Sequence, residues 1–291
     1  MSPVVDAHQH FWTYGTHQTS WMAPPYAGDS AFQPLRRSFR PDDVVPELQA
    51  AGVRYTVAIE AADGLAENKA LLRNARSHQW IAGVVGWVPL AHPAEVERAL
   101  DACADEPALV GVRHLVNVEP DPDGIMRADV LQGLQILATR GLTFDYVGIL
   151  PRHLEHVPAF AQAVPDLRIV IDHLGKPPIA AEPWSSLLVR AAEMPNVFAK
   201  VSGLDAGEAD RWTATDIRPY IDRALELFGP ERLMFGSDWP VSSLRGGYSK
   251  VWSETDMALA CLSSDERDRI LGGTAIAFYR LPISATSPAW S

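Results

Sequence analysis

Short apolar runs alternate with longer amphipathic stretches along most of this chain. The first run is Val4 to His8, and a long loop rich in Trp, Pro and Gly follows from Trp12 to about Arg40. Pro41-Asp42-Asp43 opens a helix over Val44 to Ala51, which Gly52 ends. The same grammar then repeats. Strands are predicted at Tyr55–Glu60, Ile81–Val88, Leu109–His114, Leu142–Val147, Leu167–His173, Val197–Val201 and Arg232–Phe235. Helices are predicted at Glu67–Gln79, Pro93–Ala104, Val130–Arg140, Leu154–Ala163, Trp184–Met194 and Ile217–Phe228, with a closing helix from about Ser263 to Leu271. The near-continuous apolar character of the strands suits parallel strands covered on both faces.

Eight strands alternating with helices predict an α/β fold, a (β/α)8 TIM barrel, over residues 1–282, with 283–291 as a Ser-, Thr- and Pro-rich tail. In that fold the last strand pairs with the first, and functional groups gather at the C-terminal strand ends. Those ends carry His8 and His10, Glu60, Arg113 and His114, Asp145, His173, Lys200 and Asp238. An open doubly wound sheet, the alternative architecture, would leave Asp238 far from the two histidines.

His8 and His10 are two residues apart, so on a strand they share a face and can reach one metal ion or one anionic group. Asp238 follows an apolar strand and is a candidate general base for a water. His173 follows Ile-Val-Ile-Asp; if it faces inward, Asp172 is expected to point the other way. Of the neighbours Arg113 and His114 only one can face inward. Arg113 is favoured, as an anion clamp, with His114 at the loop start. Asp145 and Tyr146 pose the same choice, and Glu60 reads as a hydroxyl-binding carboxylate or an ion-pair partner. Gly175 lets the following loop bring Lys176 to a carbonyl or carboxylate. The aromatics of the long loop (Trp12, Tyr14, Trp21, Tyr26, Phe32) read as a lid or wall of a pocket, with Trp21 suited to stack on a sugar face. His17, His78, His92, His153 and His156 are expected to face solvent.

A formal net charge of -11 argues against nucleic acid as a partner. No apolar stretch approaches the roughly 20 residues a membrane helix needs, and no apolar leader is read at the start, so a reducing cytoplasm is the expected compartment. The two cysteines, Cys103 and Cys261, read as buried free thiols in helices. Homo-oligomerisation is left open.

Five motifs together resemble the amidohydrolase-2 family, in the right order and over almost the whole chain. They are Asp6-Ala7-His8-Gln9-His10-Phe11-Trp12, Gly111 to Leu115, Asp172-His173-Leu174-Gly175-Lys176-Pro177, Lys200 to Leu204, and Gly236-Ser237-Asp238-Trp239-Pro240-Val241. The nearest likeness is to its sugar-lactone hydrolases. The resemblance implies a distorted barrel and a water-dependent ring opening of a small-molecule lactone. Asp238 would activate the water, while His8, His10 and His173 would surround the carbonyl. Arg113, Lys176 and Glu60 would orient the ring oxygen, hydroxyls or a carboxylate. A two-metal site is not expected, because the fourth and fifth strands offer Arg113, His114 and Asp145 where two-metal relatives carry other ligands. One zinc ion held by His8, His10 and Asp238, with Glu60 or His173 as further ligands, would be bound without being strictly required. The rival readings are a metal-dependent decarboxylase on the same barrel and a non-catalytic binding barrel. Gln9 and the Gly-Lys-Pro segment favour the lactonase branch.

Overall fold

Every predicted strand is present in the computed structural model, which describes residues 2–22, 30–176, 183–204 and 211–283. The strands are β1 Val5–Gln9, β2 Tyr55–Ile59, β3 Ile81–Gly86, β4 Leu109–His114, β5 Thr143–Tyr146, β6 Arg168–Ile171, β7 Val197–Val201 and β8 Leu233–Phe235. The helices between them are α1 Pro41–Ala50, α2 Leu65–Ser77, α3 Pro93–Asp101, α4 Ala128–Thr139, α5 Pro151–Ala163, α6 Trp184–Ala192 and α7 Ala214–Phe228. Then follow α8 Gly247–Ala258, α9 Ser264–Asp268 and α10 Thr274–Tyr279.

All strand pairs are parallel and run in sequence order. The ring closes where β1 meets the segment after β8. Asp238 N–H donates to the His8 carbonyl at 2.8 Å, and His10 N–H donates to the Trp239 carbonyl at 2.7 Å. This is a nearly closed (β/α)8 barrel. Val5, Ala7, Val57, Ile59, Val85, Val170 and Met234 fill the barrel with Phe278 and Tyr279 of α10. Ile169, Ile171, Ala199, Val201 and Phe235 face the surrounding helices. Each fully buried Val, Ile, Met or Phe among them contributes about 1.5–3 kcal/mol.

Local chemistry sets the element ends. Pro41 starts α1 where its missing N–H is harmless, and the Asp43 carboxylate accepts from Arg40 N–H at 2.8 Å. Thr213 caps α7 through Asp216, which accepts from its backbone N–H at 2.7 Å.

Four points differ from the expectations. Helix α8 was not foreseen, because its opening pair Gly246-Gly247 reads as a loop signal. The closing helix runs on past Leu271 through a π turn at Arg269–Gly273 to Tyr279. Gly272 permits close packing there: a Cβ would lie 2.1 Å from the Pro3 carbonyl oxygen. The cysteines lie in turns beyond helix ends, and Cys261 is exposed while Cys103 is half-buried. His153 and His156 are buried on α5 rather than solvent-facing; His156 pairs with Asp123 at 2.7 Å. Residues 284–291 of the expected tail lie outside the described residues. No described helix is long and apolar enough to cross a membrane.

Candidate active site

Strand β1 is where the site begins. Its register against β2 shifts between Asp6 and Gln9. Buried Asp6 holds that irregularity, accepting from His8 N–H at 3.1 Å and from Ser237 N–H at 2.9 Å. One carboxylate thus ties the end of β1 to the end of β8. Burial pushes the Asp6 carboxyl up to about 6, against the pull of those hydrogen bonds.

The two imidazoles meet as their spacing predicts, with His8 Nε2 and His10 Nε2 3.1 Å apart. His10 Nδ1–H donates to the Ile59 carbonyl at 3.0 Å, which leaves Nε2 with its lone pair facing the cavity. Asp238 arrives from the far end of the chain. Its Oδ1 lies 3.5 Å from His10 Nε2, 3.7 Å from His8 Nε2 and 4.0 Å from His173 Nε2. Asp238 has φ +57°, a left-handed conformation that turns its side chain inward immediately before the cis Trp239–Pro240 bond.

His173 reaches this cluster by an unexpected route. Strand β6 ends at Ile171, and alternation carries Asp172, not His173, into the barrel after inward Val170. His173 then adopts φ +56° and Leu174 φ +50°, and this left-handed turn swings the imidazole back over the barrel mouth. Both residues therefore face inward, which corrects the expectation that Asp172 points away. His173 Nδ1 bonds the Ser202 hydroxyl at 2.9 Å. Gly203, at φ +56°, makes room: a Cβ there would stand 2.7 Å from His173 Nδ1.

Beneath the cluster lies a buried ionic layer. Lys200 Nζ is 2.5 Å from Asp145 Oδ2, 3.0 Å from Asp172 Oδ1 and 3.1 Å from His8 Nδ1. Tyr279 donates to Asp145 at 2.7 Å. Arg113 Nε donates to Glu60 at 2.8 Å and Nη1 to Asp172 at 3.3 Å, while Nη2 donates to the Glu60 carbonyl. Arg113 is thus the inward member of its pair, but Glu60 and Asp172 engage its fork. His114 turns outward to Trp87, Asp63 and Glu119. Asp145 and Glu60 are fully buried below the floor and do not border the cavity. The sequence places Lys200 at a functional strand end and Asp172, Ser202 and Gly203 within motifs, but assigns none of them a role in the site. A lone lysine in Val-Phe-Ala-Lys-Val was the available signal, since an unpaired ammonium inside a barrel is prohibitively costly.

Charge in the layers is sorted by neighbours. Burial alone would raise Asp238, but His173, the His10 hydrogen bond and Lys176 outweigh it and hold the carboxyl well below the usual range. Burial likewise opposes ionisation of Asp172, but Lys200, His8 and Arg113 hold it well below its ordinary value. Burial pushes Glu60 up to about 8 against the Arg113 guanidinium, and Asp145 up to about 6 against Lys200. The three imidazoles are lowered chiefly by burial, His173 to about 4. At neutral pH the cluster is one carboxylate among neutral imidazoles.

This donor set fits one divalent ion. Two imidazole nitrogens and a carboxylate oxygen lie 3.1–3.7 Å apart, close to the edge lengths of a tetrahedron with bonds of about 2.1 Å. The His10–Ile59 bond supplies the outer support that metal-binding histidines use.

Above the cluster opens a cavity of about 400 Å³, bordered by His10, Arg113, His173, Lys176, Ser202 and Asp238 among others. Trp12 and Phe32 of the long loop border it as expected, while Tyr14 is exposed. The Trp21 side chain and Tyr26 lie outside what the structure describes.

The family model described as Amidohydrolase matches residues 5–281. An L-fucono-1,5-lactonase of Burkholderia ambifaria is 34% identical over 95% of both chains. An L-fucono-1,5-lactonase of Burkholderia multivorans is 35% identical over 96% of both. The crystal structure of an amidohydrolase from Burkholderia multivorans with bound zinc superposes with a TM-score of 0.87 at 33% identity, covering 97% of this chain and 100% of that one. With its barrel, its paired histidines on β1 and its carboxylate after β8, this chain belongs to the amidohydrolase family.

Proposed function

We propose that this protein is a lactonase that opens a sugar-acid lactone of the L-fucono type by attack of water. It is a hydrolase of carboxylic ester bonds. The observation that carries the reading is the ionised Asp238 standing among three neutral imidazoles at the floor of a cavity of suitable size. The similarity to the two L-fucono-1,5-lactonases supports the substrate class.

Asp238 takes a proton from a water as the water oxygen bonds to the lactone carbonyl carbon. In the tautomer in which the Ser202 hydroxyl donates to His173 Nδ1, His173 Nε2–H donates to the developing oxyanion. The carbonyl then re-forms, the bond to the ring oxygen breaks, and the proton held by Asp238 passes to that oxygen. The product is the open hydroxy acid. Lys176, placed at the cavity wall near the Gly203 carbonyl, orients the ring's polar substituents. Arg113 acts by holding Glu60 and Asp172 in place rather than as an open clamp. His8, His10 and Asp238 are the residues that would hold a zinc ion, which when bound polarises a carbonyl and acidifies water.

The test is a pH-indicator assay on a panel of sugar-acid lactones beside Asp238→Asn. Acid release by the wild type, best on an L-fucono-type lactone and lost in the variant, is expected. No acid release on any lactone overturns the proposal.

A further inference from the structure

The cavity is not uniformly polar. Its polar floor belongs to the reacting end of a substrate. On the side built after β7 and β8, Trp212, Ile217, Val241, Leu244 and Val251 border the cavity. They come from four places in the chain: the segment before α7, the first turn of α7, the turn Val241–Arg245 and α8. Trp212 is pinned by its indole N–H, which donates to the Arg245 carbonyl at 2.8 Å. Trp212, Ile217 and Val251 are themselves buried, so this side is a recess running back between α7 and α8, not an open rim. Its polar members are Ser242, Arg245 and Thr255, so apolar side chains dominate among the described residues. The recess begins three residues after Asp238 in the chain and shares one cavity with it.

We infer that this recess takes a hydrocarbon substituent on the lactone ring, and that the site selects lactones bearing alkyl groups over those bearing hydroxylated ones at that position. The inference rests on the lactonase reading and narrows its substrate class. A hydroxyl laid against Val241, Leu244 and Val251 gives up its water hydrogen bonds to carbon and regains them only where it reaches Ser242, Arg245 or Thr255, whereas a methylene there gains by leaving water. The methyl group of an L-fucono-type lactone is the smallest occupant, and the recess extends beyond it to α8.

The experiment is steady-state hydrolysis of δ-lactones carrying methyl, ethyl, propyl, butyl or hydroxymethyl on the carbon that bears the ring oxygen. From methyl to the longest chain that fits, kcat/KM is expected to rise about fourfold per methylene, through KM. Hydroxymethyl, the isostere of ethyl, is expected to fall about 10- to 100-fold below it. Leu244→Ser should reduce the gain per methylene, and Val251→Thr, which keeps its shape, should do so without a change in fold. Lactone hydrolysis that stays flat or falls along the alkyl series, or hydroxymethyl matching ethyl, overturns the inference and leaves the lactonase reading standing. Failure to open any of these lactones or any sugar-acid lactone overturns both.

Discussion

Asp238→Asn separates proton abstraction from everything else this site does. The substitution keeps side-chain volume, and asparagine tolerates the φ of +57° that position 238 requires, so the backbone before Pro240 is preserved. What is lost is an acceptor that is ionised across the working pH range, held so by His173, His10 and Lys176 despite its burial. General-base catalysis of this kind is worth about 10²–10⁴ in rate, or about 2.7–5.5 kcal/mol of barrier. The expected result is a fall in kcat of that size with KM changed less than about threefold, because the neutral ring is held by other groups. The pH profile sharpens the test. In the wild type burial lowers His173 to about 4, so its protonation should cut kcat as pH falls through that value. In the variant hydroxide must replace the lost base, and kcat should climb with rising pH. The profile is measured with a direct lactone-absorbance assay across buffers. A kcat within about tenfold of wild type would refute the assignment of Asp238 as the base.

Three further outcomes follow from the same geometry. Lys200→Met leaves Asp145 and Asp172 buried with their nearest cation gone, which costs about 3–5 kcal/mol and should lower Tm on the order of 5–15 °C by calorimetry; an unchanged Tm refutes the role of the ionic layer. Gly203→Ala places a Cβ 2.7 Å from His173 Nδ1 in a left-handed backbone, so kcat should fall about tenfold or more while circular dichroism stays native; full activity would show that His173 needs no such room. Titration calorimetry should detect one zinc site per chain, weakened at least about tenfold in His10→Ala, and hydrolysis should persist after chelation; zinc binding untouched by that variant would place the ion elsewhere.

The barrel was legible because its strands are short, mostly apolar runs at regular spacing alternating with amphipathic stretches, and such runs have few other homes in a chain this long. The pair His8–His10 and the late Asp238 were legible for the same reason: period two sets a shared face, and ring closure brings the ends together. Other features depended on contacts between distant segments. The turn of His173 depends on a positive φ that no residue type announces, together with the space Gly203 leaves for it from another strand. Whether Arg113 is an open clamp or a strut depends on Glu60 and Asp172, which come from two other strand ends. Lys200 sits in its own strand as a single charge, and only the barrel interior sets it between two carboxylates and beneath His8. Local pattern determines where strands lie and which faces they show. The protonation states, the turn that presents the third histidine and the apolar recess belong to the tertiary structure, because each arises from desolvation or close approach between segments remote in sequence.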